Sequence, residues 1–195
     1  MAPFLLMLTV MMVTEVFVNL ELPLLLDPKY YNLDNKTAMD WMMDETYTGT
    51  APTVITLLIG GYAYDIIGRK WTVCFTFVLT GLALWGFPFA APSKACFLLF
   101  SALFMLFMGP MGDSPLLMDY VCKESMGSAV AMRLIGVNIA VIFSNNVLWP
   151  LLKPLDPVVS WGILAGLFIG FGILAIFIVA DVKDLKVERA LKRDP

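Results

Sequence analysis

Long uninterrupted apolar runs constrain this chain more than any other feature of its sequence. Of its 195 residues, 59% are hydrophobic, only 15% are charged, and none is histidine. Average soluble domains are about 45–50% apolar and about 25% charged. A membrane-spanning helix needs about 20 mostly apolar residues. Because the runs are continuous rather than alternating, they predict an all-α, polytopic membrane protein and not a β-barrel.

Six runs are long enough to span a bilayer, and polar or proline-containing stretches separate them. The predicted spans are residues 4–24, 49–67, 71–91, 95–120, 126–149 and 158–180. They form a predicted six-helix bundle over residues 1–182, followed by a charged tail at 183–195. The longest connection, residues 25–48, is polar and acidic, and it is predicted to be a loop.

The basic residues are distributed unevenly between the two ends of this predicted bundle. An even number of spans places both termini on one side, and the positive-inside rule assigns the more basic side to the cytosol or matrix. The more basic side carries Arg69, Lys70, Lys123, Lys183, Lys186, Arg189, Lys192 and Arg193. The other side carries only Lys29, Lys36, Lys94 and Lys153. Both termini and the charged tail are therefore expected to be inside, and the 25–48 loop outside.

The outer loop also contains a glycosylation acceptor pattern, Asn35-Lys36-Thr37. Modification of Asn35 requires a secretory-pathway membrane. The sequence favours the mitochondrial inner membrane slightly over the plasma membrane or another endomembrane, and in mitochondria Asn35 would stay unmodified.

A short inner turn between spans two and three carries a recognisable motif, "GGYAYDIIGRKW". Gly68 suits a backbone conformation closed to other residues, and Arg69 and Lys70 suit the inner membrane interface. The pattern Gly61-x-x-x-Asp65-x-x-Gly68-Arg69-Lys70 resembles the loop signature of the major facilitator superfamily. Ile66 stands where that family favours arginine. The resemblance implies one six-helix half of a facilitator-type bundle, with Arg69 reaching an acid, Asp119, near the end of span four.

Polar residues inside the predicted spans are costly and are functional by default. Asp113 and Arg133 each lie ten residues from Lys123, so a helical hairpin turning there places them at equal depth, about 15 Å from the turn. Their opposite charges predict an ion pair. In the resembled fold the first, fourth and fifth helices line the central cavity. The resemblance therefore groups Glu15, Asp113 and Arg133 as a proton or solute site, or as a structural charge network. Asn138 and Asn145 share a face of span five and are predicted either to line that cavity or to hydrogen-bond a neighbouring helix.

Span six carries Gly162, Gly166 and Gly170, each four residues apart. Such a stripe lets another helix backbone approach closely. It predicts docking of a partner on span six, with packing inside the same bundle as the alternative.

Two functions follow from these patterns. The first is a non-catalytic accessory subunit of a larger membrane complex, which contacts other membrane subunits through span six. The alternative is a half-transporter that pairs with itself or another half to move a small solute, with proton coupling. Apart from the lipid bilayer and these protein partners, no nucleic acid is expected as a partner. An enzyme is not expected, because the sequence lacks histidine, a nucleophile–base pair, a phosphate-binding motif and a metal-ligand cluster. No cofactor is predicted.

Overall fold

A computed structural model describes residues 2–108 and 126–179, except for the side chains of residues 2–7, 57, 60, 61, 65 and 126. Every element in these two ranges is helical. The helices, numbered in chain order, are α1 (Ala2–Leu26), α2 (Asn35–Ile66), α3 (Arg69–Gly86), α4 (Lys94–Met108), α5 (Met126–Phe143), α6 (Trp149–Leu152) and α7 (Pro157–Ile178). A 3₁₀ turn, Phe87–Ala90, extends α3, and a π-helical turn, Ser144–Leu148, joins α5 to α6.

Four stretches of the described residues are long and apolar enough to cross a membrane: Leu8–Leu26, Arg69–Ala90, Gly127–Leu152 and Pro157–Ile178. They correspond to the first, third, fifth and sixth predicted spans. This all-helical architecture is that of an integral membrane protein. Predicted span 49–67 forms the second half of α2 and the turn after it. Span 95–120 begins as α4, a shorter apolar helix, and its remainder lies outside the described residues.

The prediction of an outer loop over residues 25–48 is wrong for residues 35–48, because α2 begins at Asn35. Asp34 caps this helix, since its side chain accepts hydrogen bonds from the backbone N–H groups of Lys36 and Thr37. The 32 residues of α2 extend over about 48 Å at 1.5 Å per residue. A bilayer's hydrocarbon core is about 30 Å thick, so the polar first half of α2 continues beyond its apolar second half.

Aromatic side chains fill the centre of the bundle. Phe17 of α1 stacks on Phe104 of α4 with ring centroids 4.7 Å apart and meets Trp161 of α7 edge-on at 5.3 Å. Trp161 also stacks on Phe87 at 4.9 Å. All four side chains are buried. Each such ring pair contributes about 0.5–1.5 kcal/mol beyond its buried area, so this cluster fixes α1, α4 and α7 against one another.

Helix α7 packs along α3, and two glycines allow their close approach. A methyl group at Gly172 would lie 2.8 Å from Phe77 Cβ, and one at Gly81 would lie 2.9 Å from the Ala165 carbonyl oxygen. Helix α1 packs against α5 and α7, while α4 packs against α2 and α3.

Candidate functional site: a buried carboxyl pair beside a groove

The signature turn has the backbone expected from the sequence. Gly68 has a φ angle of 93°, in the region that favours glycine. The Thr72 hydroxyl donates to the carbonyl oxygens of Gly68 at 2.8 Å and Ala63 at 3.1 Å, which ties α3 to the end of α2. The Arg69 guanidinium lies 5.7 Å from the centre of the Tyr64 ring, within cation–π range. Gly61 and Asp65 lie near the end of α2 and Lys70 lies in the first turn of α3. Asp119 is outside the described residues, so its pairing with Arg69 stays a prediction.

The predicted intramembrane network falls only partly within the described residues. Asp113 lies outside them, and Arg133 lies on α5. Asn145 Oδ1 accepts a 2.9 Å hydrogen bond from Asn19 Nδ2, one turn along α1 from Glu15. Asn138 instead donates to the Leu134 carbonyl oxygen of its own helix and is exposed. The geometry therefore joins Asn145 to the helix that carries Glu15, and it leaves the Asp113–Arg133 pair as a prediction.

The predicted glycine stripe on α7 lies mainly outside the α3–α7 contact. A methyl group at Gly166 or Gly170 would meet no described atom within 4 Å, and one at Gly162 would meet only Trp85 Nε1, at 3.8 Å. Gly172, which the sequence did not single out, makes the close contact with α3 instead. Gly166 and Gly170 remain exposed.

Asn35 is exposed and is the first residue of α2. The Thr37 hydroxyl of the acceptor pattern donates to the Asp34 carboxylate at 2.5 Å. The glycosylation pattern thus lies in a capped helix start rather than in the middle of a long loop, and modification of Asn35 stays a prediction.

The most unusual polar group in the described interior is a pair of carboxyl groups that the sequence did not identify. Glu21 of α1 and Glu45 of α2 are each only 4% exposed, and their carboxyl groups lie close enough to interact electrostatically. Ser101 of α4 donates to Glu45 Oε1 at 2.6 Å. Three helices therefore meet at these carboxyl groups. Two like charges at such a junction would repel each other, so this is an unusual arrangement for a protein interior.

Glu21 has one oxygen that the described residues leave unsatisfied. Its Oε1 is buried and has no hydrogen-bond partner among them. A buried polar atom without a partner costs about 1–3 kcal/mol, and such atoms are uncommon in folded proteins. This oxygen has unused capacity to accept a hydrogen bond.

A groove of about 440 Å³ lies beside the pair, between α1, α2 and α4. This volume falls in the range of small-molecule sites, about 300–1,000 Å³. The walls are mostly apolar and include Phe17, Val18, Val54 and Met105. No lysine or arginine is among the groove-lining residues that the structure describes.

Three threonines follow one another along the α2 side of the groove. The hydroxyls of Thr46, Thr50 and Thr53 donate to the carbonyl oxygens of Met42, Thr46 and Gly49, each four residues earlier, at 2.8–3.0 Å. Their protons are thus used within the helix. The hydroxyl oxygens keep lone pairs, so this wall offers acceptors and no free threonine donor.

A second group of charges joins the turns at one end of the bundle. Lys29 Nζ lies 2.6 Å from Asp156 Oδ2, and the Tyr30 hydroxyl donates to Asp156 Oδ1 at 2.6 Å. Asp156 also caps α7 by accepting from the Val158 N–H. The Lys29 ammonium and the Tyr30 hydroxyl hold the pKa of Asp156 at about 2, and Asp156 raises the pKa of Lys29. Lys94 pairs with Asp44 at 2.5 Å at the same end. These pairs are exposed, so they contribute little energy and mainly position the turns.

Within the described ranges, no group of three or more His, Cys, Asp or Glu side chains is placed to hold a metal ion. Comparisons of the chain with protein-family models, with curated proteins and with solved structures find no match. The site's own chemistry is therefore the basis for assigning a function.

Proposed function

We propose that this chain is one half of a carrier-type membrane protein, and that the groove between α1, α2 and α4 is its solute-binding site. The observation that carries the proposal is the Glu21–Glu45 pair, buried at the wall of a ligand-sized groove. A buried charge is costly, so acidic groups kept at the wall of a ligand-sized cleft indicate a functional site. Carboxyl groups can take up and release protons, which supports proton coupling. The facilitator-like signature and a six-span topology are part of the same proposal.

The groove is the part of this proposal that can be tested without knowing the solute. A solute path must be reached by water at some stage of transport, whereas a lipid-facing position is not. Val54 lines the groove and is 53% exposed, while Phe177 on α7 is 81% exposed away from it. In a variant whose native cysteines are replaced by serine, Val54→Cys should react with a charged, membrane-impermeant thiol reagent. Phe177→Cys should not react. An unreactive Val54→Cys from both faces of the membrane would exclude the groove as a solute path.

The native mass of the chain after extraction in mild detergent tests the pairing. A carrier half should be recovered with itself or with one other chain of similar architecture. Recovery with many unrelated subunits would contradict the carrier proposal.

A second function, an accessory subunit of a larger membrane complex, is favoured by one specific observation. Gly166 and Gly170 are exposed on α7, and a methyl group at either would meet no atom of the described residues within 4 Å, as a docking face for another helix would require. The mitochondrial inner membrane is the expected compartment for this second function. Here Gly166→Leu should release partner subunits and leave the chain folded, whereas Phe177→Leu on the same helix should release none.

A further inference from the structure

The chemistry of the groove indicates which class of solute binds there. This inference rests on the proposed function of the groove as a solute site. A ligand there meets two carboxyl groups at one point and apolar side chains elsewhere. The threonine wall offers oxygen acceptors, and no basic side chain lines the groove within the described residues. An anion would find no positive group there, and a fully polar solute would lose hydration along Phe17, Val18 and Val54 without replacement.

From this arrangement we infer that the groove binds a protonated amine with an apolar body, and that its ammonium N–H donates to Glu21 Oε1. This oxygen is buried, unpartnered among the described residues, and belongs to a groove-lining side chain that is 4% exposed. A positively charged donor offsets the negative charge of the Glu21 carboxylate and donates a hydrogen bond to Oε1. Such charge-assisted bonds are about twice as strong as bonds between neutral groups. The apolar body lies along Phe17, Val18 and Met105.

The acidic groups of the groove determine how the ammonium is held. An ammonium that donates to Glu21 forms an ion pair with that carboxylate, and no covalent bond is formed or broken. Asp44 on α2 is already paired with Lys94 on α4, and Glu15 on α1 lies outside the groove lining. Glu21 and Glu45 are therefore the acidic groups that an ammonium in the groove meets.

The test is calorimetric titration of the full chain in detergent with four compounds of similar shape. Phenethylammonium has charge and N–H donors, phenethyltrimethylammonium has charge but no donor, 2-phenylethanol is neutral, and 3-phenylpropionate is an anion. We expect phenethylammonium to bind most tightly of the four compounds and 3-phenylpropionate to bind most weakly, because the groove offers oxygen acceptors and carboxyl groups but no basic side chain among the described residues.

Glu21→Gln keeps the shape of the side chain and removes its charge. It should weaken phenethylammonium binding about ten- to hundredfold, the range for one charge-assisted hydrogen bond. Glu15→Gln, on the same helix but outside the groove lining, is the matched control and should leave the affinity unchanged. If Glu21→Gln does not fold, Val54→Phe tests the same point, since it fills the groove and leaves both carboxyl groups in place.

Equal binding of 2-phenylethanol and phenethylammonium would overturn the inference, as would full affinity in Glu21→Gln or in Val54→Phe. Failure here is distinguishable from failure of the carrier proposal. If Val54→Cys is reactive but none of the ammonium compounds binds, the groove is a solute path for another class of solute. If Val54→Cys is unreactive, the carrier proposal itself is wrong.

Discussion

Ser101 Oγ donates a 2.6 Å hydrogen bond to Glu45 Oε1, although 56 residues separate the two in sequence. Ser101 is completely buried, and Glu45 is 4% exposed. This contact brings α4 to the junction of α1 and α2, so the carboxyl pair is held from three sides. A serine in an apolar helix is therefore part of the site's construction.

Ser101→Ala should destabilise the protein by about 1–3 kcal/mol, because it leaves a buried carboxyl oxygen without its donor. The measurement is unfolding in detergent micelles. In a Glu45→Ala background the same serine substitution should cost much less, since the acceptor is already absent. An equal cost of Ser101→Ala in both backgrounds would show that the hydrogen bond contributes nothing to stability.

Gly172→Ala and Gly166→Ala should have opposite effects on stability. Both substitutions gain about 0.8–1.0 kcal/mol of helix propensity. A difference in stability between the two variants therefore measures the effect of the methyl group on packing. A methyl group at Gly172 would collide with Phe77 Cβ and approach the Cys74 carbonyl oxygen, while one at Gly166 would meet no described atom within 4 Å. Overpacking of this kind costs about 1–3 kcal/mol. We expect Gly172→Ala to lower the unfolding temperature and Gly166→Ala to leave it unchanged or raise it. The same result for both variants would refute the close α3–α7 contact.

The helical membrane architecture could be predicted from the sequence because it depends on composition and run length. Four of the predicted spans match apolar helices that are long enough to cross a bilayer. Gly68 could also be predicted, because a tight turn between two helices needs a residue that accepts positive φ. Each of these features depends on residues that are close together in the sequence.

The start of α2 was missed although its signal is also local. Asp34, followed three residues later by Thr37, is a capping pattern. The polar, acidic composition of residues 25–48 predicts a loop instead. Because the first half of α2 is polar and its second half is apolar, composition alone does not indicate one continuous helix.

The carboxyl pair could not be predicted, because it depends on which helices touch. The sequence pattern singles out Glu15 on span one and not Glu21, and Glu45 falls in the predicted 25–48 loop. Only the packing of α1, α2 and α4 brings Glu21, Glu45 and Ser101 together. The same limit applies to the glycines of α7. Their spacing in the sequence predicts a packing face at Gly166 and Gly170, whereas in the structure Gly172 makes the close contact with Phe77.

The Lys29–Asp156 contact should make the end of the bundle sensitive to acid. The folded-state pKa of Asp156 is about 2, below its ordinary value of 3.8. The stabilisation is therefore complete above pH 3.8 and is lost as the pH falls towards 2. The raised pKa of Lys29 keeps the contact intact up to at least its ordinary value of 10.5. Asp156→Asn retains a side chain that can cap α7 and removes the charge.

Thermal unfolding of the wild type and of Asp156→Asn between pH 2 and pH 6 measures this effect. The wild type should be the more stable protein at pH 6, and the difference should shrink as the pH approaches 2. A difference that stays constant over this range would show that the Asp156 charge does not stabilise the turns.

The last prediction concerns the orientation of the chain in its membrane. Lys29 and Lys94 make their ion pairs at one end of the bundle, where Lys36 is also exposed. Arg69 and Lys70 follow the α2–α3 turn, at the other end of α2. The positive-inside rule then places Lys36 outside and Lys70 inside. In a variant without native cysteines, Lys36→Cys should react with an impermeant thiol reagent added to intact cells or organelles. Lys70→Cys should react only after the membrane is opened. The reverse pattern would invert the orientation, and labelling of both from one face would show that α2 does not cross the bilayer between them.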